Sequence, residues 1–499
     1  MRVTRRDFLA TSGAALAAAR IGIGCQVEKT GAPTPAPKRA PNIVLIVGDD
    51  QGIDDLGCYG SKAIATPALD RLAASGLRFT RAFTPTAICQ PSRAALHTGL
   101  HGTSSGADGF SPIKPGIATL GGQLKQAGYA TALLGKTHLE PIEQFGFENV
   151  VTEEQLSSGR DVDAFARWTR SVVLDAKKAA KPFFLNVNFV DPHYPWPLTT
   201  EEAAKLLPRW LRNAKQIDPR HRALGGVAGS NDPAKVRLPA LLPDLPAIRA
   251  DLARYADAIT RLDRGVGLVL DVLEQEQVAG ETLVIYLSDN GMDFPFHKTT
   301  LWDGGVHLPL LIRWPGVTSA GSVTDAMVSF VDVMPTLLEA AGIATSTETR
   351  QAQKLEGTPF SAVLRDPAAP GRKELFLTHS RHRQEIAMPS RGLRTDRFKS
   401  LVNFWPAGVD FATNGMLHDS WEVCVAAAAS DPALSARIDK LLHRPPVELY
   451  DLTADPLEQK NLAGSPGIDH PLKATQAELH ARLKAQMAAI GDPLLEKMG

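Results

Sequence analysis

Apolar runs framed by proline or glycine recur along the chain from residue 42 onward, and polar or charged residues follow each run directly. The first is Asn42-Ile43-Val44-Leu45-Ile46-Val47-Gly48, set between Pro41 and Asp49-Asp50. An unbroken apolar run of this length reads as a strand buried on both faces. Tyr129 to Leu134, Pro182 to Phe189, Thr282 to Leu287 and Leu308 to Trp314 have the same character and predict further strands. Between them the period changes. Thr66 to Ser75, with Pro67 in its first turn and Gly76 after it, predicts a helix; so do Thr119 to Gln126, closed by Gly128, and Pro335 to Ala341, closed by Gly342. Ile248, Leu252, Tyr255, Ile259, Leu262 and Val266 recur at spacings of four and three, which puts them on one face of an amphipathic helix packed against a sheet. Strand and helix alternating in this way predict an α/β fold, a mostly parallel sheet sandwiched by helices.

The pattern changes near residue 370. Glu374 to Thr378, Phe398 to Asn403 and Val447 to Leu452 are short strand candidates, with a closing helix near Leu472 to Ile490. They predict a smaller C-terminal α+β domain containing an antiparallel sheet. The boundaries expected are a main domain over 41–372 and a subdomain over 373–499. Pro197 to Pro246, polar and Pro-rich, reads as a long insertion that rims whatever site exists.

The N-terminus has another character. Thr4-Arg5-Arg6-Asp7-Phe8-Leu9 followed by the small apolar run Ala10 to Ala19 predicts a twin-arginine export signal over residues 1–25, too short and Ala-rich for a membrane span. Cys25 is a candidate lipid-attachment cysteine, and residues 26–40, with Pro33, Pro35 and Pro37, predict a stiff linker. Export to the periplasm or cell surface is the expectation, with the twin-arginine machinery as a partner.

Composition narrows the partners. The 499 residues carry 54 Lys+Arg against 54 Asp+Glu, so no overall charge draws the chain to nucleic acid or an anionic membrane, and any anion site is local. The cysteines, Cys25, Cys58, Cys89 and Cys424, form no disulfide framework, and pairing of Cys58 with Cys424 is left open. Cys89 lies in Thr86-Ala87-Ile88-Cys89-Gln90-Pro91-Ser92-Arg93, ahead of a helix-like run. Alone, it reads equally as a buried thiol packed like a small hydrophobe.

The strand ends carry the chemistry. Asp49 and Asp50 end one strand and Asp289-Asn290 another, an all-oxygen set that suits a hard cation, Ca²⁺ or Mg²⁺. Other strand ends deliver Lys136 and His138 in Gly135-Lys136-Thr137-His138, and His193 in Asp191-Pro192-His193. Arg93 and Lys298 add positive charge. A cation, basic side chains and two imidazoles suit a tetrahedral oxyanion, sulfate or phosphate.

In these motifs, in their order, and in Glu448-Leu449-Tyr450-Asp451-Leu452, the chain from Pro41 onward resembles the type I, formylglycine-dependent sulfatase family. The resemblance implies an alkaline-phosphatase-like fold and a Cys89 oxidised to formylglycine by a formylglycine-generating maturation enzyme. It implies Ca²⁺ held by Asp49, Asp50, Asp289, Asn290 and modified Cys89. Arg93 and Lys136 would activate the nucleophile, His193 would protonate the leaving group, His138 would help expel sulfate, and Lys298 would bind a sulfate oxygen. Within the family, Gly135 to Pro141, Phe189 to His193 and Thr282 to Pro295 are most similar to the sulfamidases, which act on the N-sulfate of glucosamine in heparan sulfate. That implies a sulfated saccharide substrate, with Asp191 and Glu385 as substrate-binding residues. Gln90, Thr137, Glu140 and Lys298 depart from the family pattern, and a Lys offers a point charge where an Arg offers a bidentate fork. An O-sulfatase or a phosphomonoester or phosphonate hydrolase of the same fold, and a non-catalytic carbohydrate-binding protein, are the competing readings. A homodimer is left open.

Overall fold

A computed structural model describes residues 40–196, 229–345, 354–382, 386–406, 408–463 and 471–498. The expected export signal with Cys25, residues 26–39 of the expected linker, residues 197–228 of the insertion, and Glu385 lie outside the described residues.

The main sheet comprises β1 (Asn42–Gly48), β2 (Leu77–Phe83), β3 (Ala130–Gly135), β4 (Asn149–Thr152), β5 (Phe183–Asn188), β6 (Thr282–Ser288), β7 (His307–Arg313), β8 (Ser322–Thr324) and β9 (Val328–Ser329). Its order is β4-β3-β5-β1-β6-β7-β2-β8, with β9 also on β2. The central strand β1 runs parallel to both neighbours, Leu45 lying opposite Asn186 of β5 and Ile285 of β6. Only β7 runs against this direction, antiparallel to β6 and β2.

The first strand shows why the sheet is covered twice. Val44 and Ile46 point into one apolar layer, with α1 (Pro67–Ala74), α4 (Val162–Lys178) and α5 (Pro246–Gln275) supplying Leu69, Leu72, Phe165, Val173, Leu262, Val266 and Leu270. Ile43, Leu45 and Val47 point into the other, against Leu96 of α2 (Cys89–Thr98), Leu120 and Leu124 of α3 (Leu120–Gln126), and Val333, Met334 and Leu337 of α6 (Val333–Ala340). Strand residues alternate faces, so a run apolar at every position is what two helical layers require. Each such side chain contributes about 1.5–3 kcal/mol on burial. The periodic helix expected from Ile248 to Val266 is the first two-thirds of α5, which starts at Pro246.

The second sheet is antiparallel, β10 (Glu374–His382), β11 (Ile386–Thr395), β12 (Phe398–Asn403) and β13 (Val447–Asp451) in that order. Its Phe376, Leu393, Val402 and Leu449 pack under Leu479, Leu483 and Met487 of the last long helix, α7 (Lys473–Ala489). The opposite face, with Leu375, Leu377, Leu401 and Tyr450, joins the apolar cluster of Phe83, Ala87 and Trp302 beneath the main sheet's ligand end. Buried Lys399 fastens that contact, its Nζ 2.6 Å from Asp303 Oδ1 and 2.8 Å from Glu458 Oε1.

Cys58 and Cys424 are both free thiols, so the pairing left open by the sequence does not form.

Candidate active site

The C-terminal ends of β1, β3, β5 and β6 lie side by side, and the loops leaving them converge on the first turn of α2. This is where open α/β sheets place their ligands. Asp49 follows β1, and its backbone N-H donates to the Asp191 carbonyl at 3.1 Å, joining the β1 and β5 loops. Asp50 has φ +67°, a left-handed turn that Asp tolerates, and its N-H donates to Asp289 Oδ1 at 3.2 Å. Gly135, at φ +93°, lets β3 pass beside the Asn188 carbonyl: a Cβ there would meet that oxygen at 2.1 Å. The turn sets Lys136 against Asp49, to which its Nζ donates.

Helix α2 brings the cysteine. Ile88 caps it and Cys89 is its first residue, so Sγ sits where the helix dipole is positive. The Ser of Cys89-Gln90-Pro91-Ser92-Arg93 is a tether, Ser92 Oγ donating to the Asp289 carbonyl at 2.6 Å. Arg93, one turn on, donates from Nε to Asp289 Oδ2 at 2.8 Å. Its two terminal nitrogens are buried with no hydrogen-bond partner among the described residues, and Nη2 stands 3.9 Å from Asp49 Oδ1. Unpaired guanidinium donors at a helix N-terminus are what an incoming oxyanion meets.

Cys89 Sγ lies 3.3 Å from Asp49 Oδ1 and 3.7 Å from Asp50 Oδ1. Burial and the Asp49 charge push the thiol well above its ordinary range, so at neutral pH it is protonated and a poor nucleophile as encoded. Asp49, Asp50, Cys89 and His193 each place one ligand atom within 4.8 Å of the others. Asn290 donates to Asp50 Oδ1 at 2.7 Å while its own Oδ1 is buried without a hydrogen-bond partner among the described residues. Lys298 Nζ donates to Asp50 Oδ2 at 2.6 Å.

The electrostatics favour a further positive charge. Burial, followed by the neighbouring Asp49 carboxylate, pushes Asp289 up to about 7. Burial also raises Asp50, to about 6, although Lys298 opposes it. For Asp49, Lys136 and then His193 and Arg93 overcome the burial cost and hold the carboxyl well below its usual range. Three fully buried carboxylates with two strained upward, beside an unpartnered amide oxygen, are a donor set that fits a hard cation. His193 differs from the ligands assigned by the sequence resemblance in lying inside the close group, its Nε2 3.7 Å from Asp50 Oδ2, while Asp289 is drawn toward Arg93.

Both histidines stand at the cluster. Burial and the Lys298 charge push His193 down to about 3, yet 27 % of its side chain is exposed, so it faces the open side. His138 is likewise half-buried; burial and Lys136 depress it, and its Nδ1 has no hydrogen-bond partner among the described residues.

Asp191 requires a correction. Its carboxylate is enclosed by arginines: Arg261 binds it through Nε at 2.6 Å and Nη2 at 2.9 Å, and Arg160 donates to it as well. It is fully buried, and the arginines hold it below its usual range against the burial cost. Arg160 Nη2 also donates to the His193 carbonyl at 2.9 Å, so this triad braces the loop carrying His193. The substrate contact expected of Asp191 is therefore replaced by a role in holding that loop.

Arg160 and Arg261 were invisible in the sequence, where single arginines look like solvated charges. So were Asp293 and His418, a buried pair 3.4 Å apart beside Lys298's loop, with His418 stacked on Tyr194. Only the position of Asp293, four residues after Asp289, offered a hint.

The chain is similar to known proteins over most of its length. The sulfatase family profile matches residues 41–343, and a profile described as N-sulphoglucosamine sulphohydrolase, C-terminal, matches residues 292–424. Human N-sulphoglucosamine sulphohydrolase is 31% identical over 88% of this chain and 89% of its own. Human arylsulfatase A is 29% identical over 92% of each chain. A protein solved in complex with its substrate D-glucosamine-2-N,6-O-disulfate superposes with a TM-score of 0.69 at 22% identity, covering 91% of this chain and 99% of the other.

Proposed function

This chain belongs to the sulfatase family, hydrolases of sulfate esters or sulfamates, and on that premise we propose that it removes the N-sulfate of a glucosamine residue in a heparan-type saccharide. The observation that carries the reading is the meeting of Arg93, Lys136 and Lys298 with the Asp49, Asp50, Asp289 and Asn290 oxygens around Cys89. The match of the second profile to the N-sulphoglucosamine sulphohydrolase C-terminal region supports the N-sulfate in particular.

Asp49, Asp50, Asp289 and Asn290 would hold Ca²⁺, and Cys89 would carry formylglycine; together these supply Lewis-acid polarisation and an aldehyde hydrate as nucleophile. The chain's own residues set the rest. Arg93 presents two unpaired donors to the sulfate oxygens, and Lys136 holds Asp49 and adds charge next to Cys89. Lys298, anchored on Asp50, stands opposite as a point charge. These groups are fixed before substrate arrives, which is the condition for electrostatic stabilisation of charge that grows on the transferring group. His193, half-buried on the open side, is placed to give the departing amine its proton once the bound sulfate offsets the Lys298 and Lys136 charges that depress it, and His138 borders the same anion site. Activation of Cys89 before folding around it fits export of an already folded protein through the twin-arginine route.

A substrate panel tests this. Protein produced with a formylglycine-generating enzyme is expected to release sulfate from N-sulfoglucosamine faster than from glucosamine or galactosamine O-sulfates, and to leave 4-nitrophenyl phosphate nearly untouched. Rapid turnover of an O-sulfate or the phosphate with the N-sulfate intact would contradict the assignment.

A further inference from the structure

Phe110 lies in a Gly- and Ser-containing loop that follows the short helical turn Gly102–Ser105. Three parts of the site hold it. Gln90, next to Cys89, donates from Nε2 to the Ser111 carbonyl at 2.8 Å. Ile113 N-H donates to the Glu140 carbonyl at 2.8 Å, tying the loop to the segment that carries His138. From the second sheet, Arg381 Nε donates to the Asp108 carbonyl at 3.2 Å. The fit against Arg381 is close: Gly109 has φ +85°, and a Cβ there would meet the Arg381 Cγ at 2.8 Å and its carbonyl at 2.9 Å. The residue delivered is an aromatic ring. Its centroid lies 5.6 Å from that of His138, edge to face at 90°, and 5.7 Å from that of His382 at 63°. Phe110 is only half-buried by these contacts.

Resting on the sugar reading of the site, we propose that Phe110 is a substrate-binding platform: its ring takes the apolar C-H face of the pyranose that carries the sulfate. The chemistry fits the position. A pyranose has an apolar face and a polar rim, and an aromatic ring covers the first while charged groups bind the second. His138, which touches Phe110, borders the anion site, so a ring seated on Phe110 directs its sulfate inward. Through Arg381 and His382 the second sheet shapes this platform, giving the C-terminal region a part in choosing the sugar.

The test is the KM for N-sulfoglucosamine, with the inhibition constant of inorganic sulfate measured alongside, for wild type, Phe110→Leu and Phe110→Tyr. An aromatic contact of ordinary strength predicts a KM raised about three- to tenfold by Phe110→Leu and kept within about twofold by Phe110→Tyr, the sulfate constant following neither change. A Phe110→Leu protein with wild-type KM overturns the inference. So does a parallel weakening of sugar and sulfate in both variants, which marks a loop that merely folds the site. A wild type that cleaves 4-nitrophenyl sulfate but leaves N-sulfoglucosamine intact overturns the sugar reading and this inference with it; cleavage of N-sulfoglucosamine unaffected by Phe110→Leu overturns this inference alone.

Discussion

Arg261 grips Asp191 through both carboxylate oxygens, in a pair whose side chains are 2 % and 1 % exposed. Two charges taken this far from water are held by mutual attraction and by Arg160, and removing Arg261 leaves the buried Asp191 carboxylate with Arg160 as its partner and without the bidentate grip. Arg261→Met is therefore expected to destabilise the protein by about 1.5–3 kcal/mol, read from urea-induced unfolding. Because Asp191 and Arg160 brace the His193 loop, kcat falls as well. Unaltered unfolding would mean that the triad is not needed to hold the loop.

Burial raises both Asp50 and Asp289, and the Asp49 charge adds to each, so a bound cation relieves a repulsion already present in the fold. Added Ca²⁺ should raise the thermal midpoint of chelator-treated protein in a concentration-dependent way, by about 4 kcal/mol of stability at a thousandfold excess over Kd. Activity should disappear with chelation and return with Ca²⁺. A midpoint indifferent to both chelator and Ca²⁺ would contradict a cation site.

Lys298 carries its charge 2.6 Å from Asp50, with 2 % of its side chain exposed. Lys298→Ala removes one preorganised charge from the anion site and is expected to lower kcat/KM by about 10²–10³. Lys298→Arg keeps the charge and should recover part of that loss. Equal activity in all three proteins, measured on N-sulfoglucosamine, would exclude Lys298 from sulfate binding.

His97 gives the fold an acid limit. It is buried in α2 against Phe145, Phe147 and Phe184, with Nε2 3.2 Å from Asn186 Oδ1, and burial pushes it down from 6.5 to about 4. Between those values the unfolded chain binds a proton that the folded chain refuses, so stability declines as pH falls from 6.5 toward 4. The single group is worth on the order of 3 kcal/mol across that window. His97→Gln should flatten the slope of unfolding free energy against pH. The same slope in both proteins would place the acid sensitivity elsewhere.

What could be read from the sequence divides along physical lines. The strands β1, β3, β5 and β6 were legible because burial on both faces demands mainly apolar runs, and their ends carried the charged motifs in plain view. Strand β2, Leu-Arg-Phe-Thr-Arg-Ala-Phe, was not: its arginines interrupt the run, and half-buried Arg78 lies over the Tyr59 ring, 5.1 Å from the centroid. Helix α4 went unread although it has an apolar face, because nothing chemical pointed to it. Strand β11 hides Arg391 and Arg394 in buried positions, satisfied by Asp492 and Asp303 far along the chain. The misplacement of Asp191 has the same origin, since its partners Arg160 and Arg261 are 31 and 70 residues away and only the fold brings them in.

The central claim is that Cys89 is the precursor of the group that attacks the N-sulfate, and sulfate release from N-sulfoglucosamine, measured together with the mass of the Cys89 peptide, tests it most directly. Protein made with a formylglycine-generating enzyme should show Cys89 converted to the aldehyde and turnover in proportion to the converted fraction, with none from Cys89→Ala. Full turnover by protein whose Cys89 remains a thiol would contradict the account.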